Sequence, residues 1–370
     1  MKNNKKIAAV LDQLLERHIA FAAWFFPRDS RMGLLAGNSS DVKFLKEFNQ
    51  LNGEAGFVFA PFRITDRSPV ILLKPQVYLE DFYGEDQLEI DSIEPFEGVQ
   101  ETETCKFQSK EDYLKLIGET VSTIREGALS KVIISRRIPV KRTVTSIGTT
   151  FLQLQDQTPN AFTFLVNLPV AGLWMGATPE VLIQSQGDNF ETVSLAGTQV
   201  RNPNAEEYYW STKDIEEQAF VSRYMLDVFF NFDIHQYKTR GPETLESGRV
   251  AHLKTSFFFP ANKIADCLGN FIADLHPTPA VCGLPKDLAA EYILKNETHE
   301  RKYYTGYLGL WRLNRQVSLY VNLRSMEITP EEYILYAGGG ITARSVPEKE
   351  WDETNQKAGT LLSVINENMK

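Results

Sequence analysis

Short apolar runs recur through most of the chain and end at turn residues. The runs at 131–140, 162–168, 171–176, 180–185, 316–324 and 332–337 have the length and composition of strands. Several are joined by tight turns, as in "LVNLPVAGLWMG", which predicts antiparallel hairpins. Helical spacing marks 111–126, 206–230, 286–294 and 346–367, and near the N-terminus Ile7, Leu11, Leu14 and Leu15 form one helical stripe. Ser109 ahead of Lys110-Glu111-Asp112 fits a helix N-cap, and Ser345-Val346-Pro347-Glu348 fits a capping box with proline in the first turn. The helices come in blocks and do not alternate with strands. That pattern predicts an α+β protein with a large antiparallel sheet, essentially one large domain.

Composition narrows the function. Of 370 residues, 43% are hydrophobic, enough for a sizeable core. The formal net charge of −9 argues against a nucleic-acid backbone as partner, while a local cationic cluster still permits an anionic substrate. Cys105, Cys267 and Cys282 are far apart and form no CxxC pair, which fits a reducing compartment without structural zinc. Charged residues Asp12, Glu16 and Arg17 interrupt any signal-peptide core, and the run "IAFAAWFF" is too short to span a membrane. A soluble cytoplasmic protein is expected.

Candidate chemistry starts with "SKVIISRR", where Lys131 heads an apolar strand although an unpaired ammonium is costly to bury. In "GATPE", Glu180 stands likewise at the edge of an apolar run. Glu350, Glu353 and Lys357 share one face of the last predicted helix. The pattern fits either a solvated face with an ion pair or a carboxylate site for a hard cation beside an anion-holding lysine. On the 206–230 helix, Asp214, Glu216 and Glu217 fit either an exposed acidic turn or the second half of a magnesium site. Gly338, Gly339 and Gly340 follow a strand, as a bulge or tight turn or as backbone that an anion can approach closely. "LAGTQVRN" is a second small-residue turn of that kind. "LHPTPAVCGLP" predicts a stiff, extended pocket wall. His252 and His276 suit packed structural roles better than catalytic ones.

Taken in order, "KVIISRR", "GATPE", "LAGT", "KDIEEQAFV", "HL" at 252–253, "HPTPAVCGLP", "YYTGYLG", "NLR", "AGGGI" and "EWDETNQKAG" resemble the chorismate-utilising enzymes from about residue 109 to 365. The resemblance implies a β-sandwich flanked by helices, with 109–370 as catalytic region and 1–108 as a variable part packed into the same fold. Lys131 and Ala280 resemble the isochorismate synthase branch, since relatives that make anthranilate carry glutamine and threonine there. Position by position, Lys131 matches the general base and Glu180 the general acid. Glu217 and Glu353 match ligands of Mg2+, with Asp214 and Glu350 as outer-sphere carboxylates. Arg324 and Tyr304 match the grip on the pyruvyl carboxylate of chorismate. Lys357, Gly197, Thr198, Gly338 and Gly340 match further substrate contacts, and His252 a pocket histidine. Gln218 departs from the histidine common in relatives, and Gly339 from an occasional alanine.

The implied reaction is conversion of chorismate to isochorismate, a precursor in menaquinone or siderophore synthesis, with no membrane and no glutaminase subunit involved. Rival readings are a salicylate synthase, which goes on to release pyruvate, a non-catalytic binder of a chorismate-like metabolite, and an amidotransferase-coupled synthase.

Overall fold

The computed structural model describes residues 2–84, 90–97, 108–143, 146–200, 208–247 and 250–367. Cys105 and most of the acidic segment before the helix at 110 lie outside the described residues, as does the side chain of Thr198.

Two nine-stranded antiparallel sheets form the centre. In the first, Gly283–Leu284 is followed by Lys131–Lys141, Glu332–Ile341, Ser325–Ile328, Gly172–Thr178, Phe162–Leu168, Ala20–Phe25, Met32–Gly37 and Val77–Leu79. The second runs Lys238–Ser247, Val250–Pro260, Asn189–Val200, Val181–Gln186, Gln316–Val321, Tyr307–Leu313, Gly56–Ala60, Val70–Leu73 and Val42–Leu45. The first hundred residues supply strands to both: Ala20–Phe25 pairs with Phe162–Leu168, and Gly56–Ala60 with Tyr307–Leu313.

Strand alternation explains the layers. Along Ala20–Phe25, Phe21, Ala23 and Phe25 face a core shared with the helices Lys2–Glu16, Ile147–Gln157 and Pro347–Glu367. Ala22 and Trp24 face the opposite way, into an aromatic layer between the sheets that holds Phe57, Phe59, Phe164, Trp174 and Tyr336. On the far side, Val221, Met225 and Phe229 of helix Thr212–Asn231 and Phe271 of helix Leu268–Leu275 cover the second sheet. The run "IAFAAWFF", too short to span a membrane, is a buried strand over most of its length, and among the described residues no helix is long and apolar enough to cross a membrane.

Two local expectations change. The glycine triplet is not a turn. It continues the strand Glu332–Ile341, with Gly338, Gly339 and Gly340 opposite Ser135, Ile134 and Ile133. The segment after His276 is not extended throughout: Val281 and Cys282 both donate their N–H to Thr278 O, closing a turn before the short strand Gly283–Leu284.

Candidate active site

The chain crosses between the sheets at several places, and a cavity of about 110 Å³ opens there. Pro179 and Glu180 link Gly172–Thr178 of the first sheet to Val181–Gln186 of the second. Leu323 and Arg324 link Gln316–Val321 of the second to Ser325–Ile328 of the first. The two crossings are tied together, since Val321 N donates to Glu180 O and Ala177 N to Arg324 O. Arg324 takes a left-handed backbone (φ 48°), uncommon for a side chain of this size. Ionisable groups stand here because strand ends leave backbone to turn while the flanking sheets exclude water.

Glu180, Arg324, Tyr304, Lys357, His252, Gly197, Gly338, Gly340, Ala280, Glu217, Glu353 and Asp214 all line this one cavity. Lys131 and Glu350 are not part of its surface; both are buried just behind it. Burial pushes the Glu180 carboxyl up to about 7, against the pull of Lys131, then Lys357 and Arg324. Glu180 therefore holds its proton well above the usual carboxylate range and is about half protonated at neutrality.

Lys131 is fully buried, and its Nζ lies 2.7 Å from Glu217 Oε1. The strand pairing that holds it is closed by Gly283, where a Cβ would stand 2.3 Å from Lys131 O. Glu217 comes from the first turns of Thr212–Asn231, which Ser211 caps together with Asp214 in a capping box. Gln218, beside it, donates to Ser194 O (3.1 Å) and Thr255 Oγ1 (2.9 Å), fixing the helix to the second sheet. Asp214 thus has a capping role as well as a place on the cavity wall.

The last helix meets the same strands through its other ionisable face. Lys357 Nζ donates to Gly338 O (2.9 Å) and pairs with Glu353 Oε1 (2.7 Å). The solvated-face reading holds only in part: the Glu353–Lys357 ion pair it includes is present, but Glu350 is 3% exposed and Glu353 and Lys357 line the cavity. Bare backbone makes the approach possible. A Cβ on Gly339 would lie 3.0 Å from Glu350 Oε2 and 3.6 Å from Glu353 Oε1, and one on Gly340 would lie 2.9 Å from Lys131 Cε and 3.1 Å from Glu217 Oε1.

This donor set suits a hard divalent cation. Glu217 and Glu353 present carboxylate oxygens to one cavity, and magnesium takes few protein ligands, leaving positions for water and substrate oxygens. Among the described residues no three His, Cys, Asp or Glu side chains converge as a preassembled centre. The two carboxylates are instead held by Lys131 and Lys357.

On the opposite wall, His252 Nδ1 lies 2.9 Å from Gly197 O, and its Nε2 lies 2.6 Å from Arg324 Nη2. Burial, then the Arg324 charge, lowers the His252 imidazole to about 3. The ring is neutral, donating from Nδ1 to Gly197 O and accepting at Nε2 from Arg324. Gly197 takes φ 72° at a register shift of Asn189–Val200, which turns its carbonyl to the histidine. His276 is separate: buried, it reaches Pro61 O and does not line the cavity.

Sequence reasoning missed several contributors. Ile133, Thr305, Leu323 and Tyr336 line the cavity, with Tyr336 stacked on Tyr304 at 5.1 Å. Alternation from Lys131 along its strand puts Ile133 on the same face, a signal available in the sequence. Arg136, on the other face, lies 3.8 Å over Trp351 and donates to Thr354 Oγ1 and Asn355 Oδ1, clamping the strand to the last helix. Arg301 donates to Ile133 O and Val281 O and pairs with Glu297, so it holds two walls at once.

Comparison with known proteins agrees with this architecture. The chain is 28% identical over 264 residues to the vibriobactin-specific isochorismate synthase of Vibrio cholerae serotype O1, covering 69% of this chain and 67% of that protein. It is 30% identical over 288 residues to the isochorismate synthase MenF of Escherichia coli K12, covering 74% and 65%. The matches thus span about two thirds of these relatives' lengths. Among solved structures, DhbC from Bacillus anthracis is 26% identical with a TM-score of 0.78, covering 96% of this chain and 99% of that one. Anthranilate synthase component I from Streptococcus pneumoniae, 15% identical with a TM-score of 0.66 over 93% of this chain and 91% of that one, shares the fold alone. Residues 79–366 match the family described as chorismate binding enzyme, and the chain belongs to that family.

Proposed function

We propose that the protein is an isochorismate synthase that adds water at C2 of chorismate and expels the C4 hydroxyl. The observation that carries this reading is Glu180: a carboxyl buried in a cavity that also holds Arg324 and adjoins the buried Lys131, so that burial keeps its proton far above the usual carboxylate range. A leaving hydroxyl needs such a proton donor.

Arg324, oriented by His252, holds the pyruvyl carboxylate with its planar donor fork, and Tyr304 completes that wall. Lys357 and the backbone around Gly197 and Gly338 hold the substrate in place. Lys131 takes a proton from the water that attacks C2. Both ring double bonds shift, and Glu180 gives its proton to the departing hydroxyl, so that water in and water out balance. Glu217 and Glu353 would hold magnesium, which supplies positive charge against the ring carboxylate. Glu217 Oε1 also pairs with Lys131, so a cation held there would share this carboxylate with the proposed base. The enzyme acts without a glutaminase subunit.

Incubation with chorismate and magnesium, followed by chromatography, tests the reading. Isochorismate is the expected product. Pyruvate and salicylate without added lyase would identify a salicylate synthase, and unchanged chorismate would reject both.

A further inference from the structure

A second cavity, of about 790 Å³, lies on the same face of the Lys131–Lys141 strand as the first. Alternation carries Lys131, Ile133, Ser135 and Arg137 on that face. Ile133 lines the first cavity and Arg137 the second. Between them stands the buried Glu297–Arg301 ion pair, with Glu297 Oε1 accepting from Ser135 N and Oγ.

Arg137 is 8% exposed, and its Nε has no hydrogen-bond acceptor among the described residues. A guanidinium buried to that degree is ordinarily met by an anion. Glu297 does not provide one: it is turned to Arg301, and among the described residues no ion pair joins it to Arg137. His299, the next group along, is neutral because burial lowers its imidazole to about 4. The cavity wall holds the cations Arg63, Arg137, Arg301 and Lys302 against Glu297 and Glu300, an excess of positive charge on a chain whose net charge is −9. Lys302 is paired with Glu327, which leaves Arg63 and Arg137 to face an incoming anion. Phe62, Ile293 and Leu294 add an apolar patch beside the polar Thr65, Ser68, Thr298 and His299.

We propose that this cavity is a second ligand site, taking a monocarboxylate with a flat apolar body: Arg137 and Arg63 hold the carboxylate and Phe62, Ile293 and Leu294 cover the body. The guanidinium fork matches a carboxylate or a phosphate equally. The apolar patch beside the cations favours the carboxylate of an apolar body.

The test uses benzoate, 4-bromobenzoate and inorganic phosphate on the full chain. Crystals of the unmutated protein soaked in 4-bromobenzoate are expected to place the bromine anomalous peak beside Phe62 and Leu294, with the carboxylate on Arg137. A peak confined to the Arg324 cavity, or none, overturns the proposal. In calorimetry on an Arg324→Gln background, which disables anion binding at the first cavity, Arg137→Leu is expected to weaken benzoate at least tenfold. Unchanged benzoate affinity overturns the site. Phosphate binding as tightly as benzoate overturns the assignment of an apolar ligand.

Discussion

Lys131 and Glu217 come from a strand of the first sheet and a helix on the second, and meet as an ion pair of 2.7 Å with 1% of the lysine side chain exposed. The pair answers why a lysine heads an apolar strand: its charge is met across the sandwich. It also couples the proposed base to a proposed metal ligand. Lys131→Gln keeps a hydrogen-bonding group for Glu217 but cannot take a proton from water. Turnover should fall by about 10²-fold or more, with far-ultraviolet dichroism unchanged. Full isochorismate formation by the variant would remove Lys131 from the mechanism.

Glu180 gives a pH signature. With its carboxyl at about 7 in the free protein, the proton donor is lost as pH rises through neutrality, so the alkaline limb of kcat/KM near pH 7 should vanish in Glu180→Gln along with most activity. Stability follows the same sign. The folded value is raised above the ordinary 4.5, so the folded state holds a proton that the unfolded chain releases between pH 4.5 and 7. That contribution is full below 4.5 and lost by about pH 7, a change of about 3 kcal/mol. Denaturant unfolding of Glu180→Gln against the parent should show the variant gaining relative stability across this window. A constant difference would mean the carboxyl is not perturbed.

His252 works through Arg324. As the ring is neutral down to about pH 3, it contributes no titration between pH 5 and 9. Removing it deprives Arg324 of an acceptor 2.6 Å away. A hydrogen bond to a charged group is worth about 1.5–3 kcal/mol, so His252→Ala should raise KM for chorismate by about tenfold or more. The kcat profile should keep its pH dependence. A shifted profile with unchanged KM would point to direct proton transfer by the ring.

Among the described residues Glu353 is held by a partly exposed i, i+4 ion pair with Lys357, which contributes about 0.3–0.5 kcal/mol. Glu353→Gln should therefore leave the thermal midpoint within about two degrees. The magnesium concentration for half-maximal binding, followed by calorimetry without substrate, should rise at least tenfold. An unmoved titration would exclude Glu353 as a ligand.

The strands Lys131–Lys141, Phe162–Leu168 and Glu332–Ile341 and the helix Pro347–Glu367 were legible because burial imposes a period, whereas Asn189–Val200, Val250–Pro260, Tyr307–Leu313 and the helix Ile147–Gln157 were not singled out. The ordered motifs marked the residues that line the cavity. What could not be read was which faces they share. Lys131 and Glu217 are 86 residues apart, and only the packing of a second-sheet helix over the crossing joins them. The glycine triplet could not be settled between a turn and a backbone that allows close approach, because glycine weakens strand propensity. Here the partner strand and the groups crowding Gly339 and Gly340 require it. Arg136 and Arg301 gave no sign at all, since an arginine that clamps backbone and aromatic rings has the same local pattern as an exposed one.

That crowding yields the most local prediction. At Gly340 a methyl group would sit 2.9 Å from Lys131 Cε and 3.1 Å from Glu217 Oε1, while at Gly339 its nearest neighbour is Glu350 Oε2 at 3.0 Å. Neither glycine has a positive φ, so alanine strains no backbone and the cost is contact alone. Lys131 is enclosed and paired, whereas Glu350 meets the added methyl only through a terminal oxygen. Gly340→Ala should thus push the lysine off its carboxylate and cut kcat by tenfold or more. Gly339→Ala should cost several-fold less. Both should unfold within about 2 kcal/mol of the parent, in the range of modest overpacking. Equal kcat in the two variants would mean that the position of Lys131 does not control the reaction.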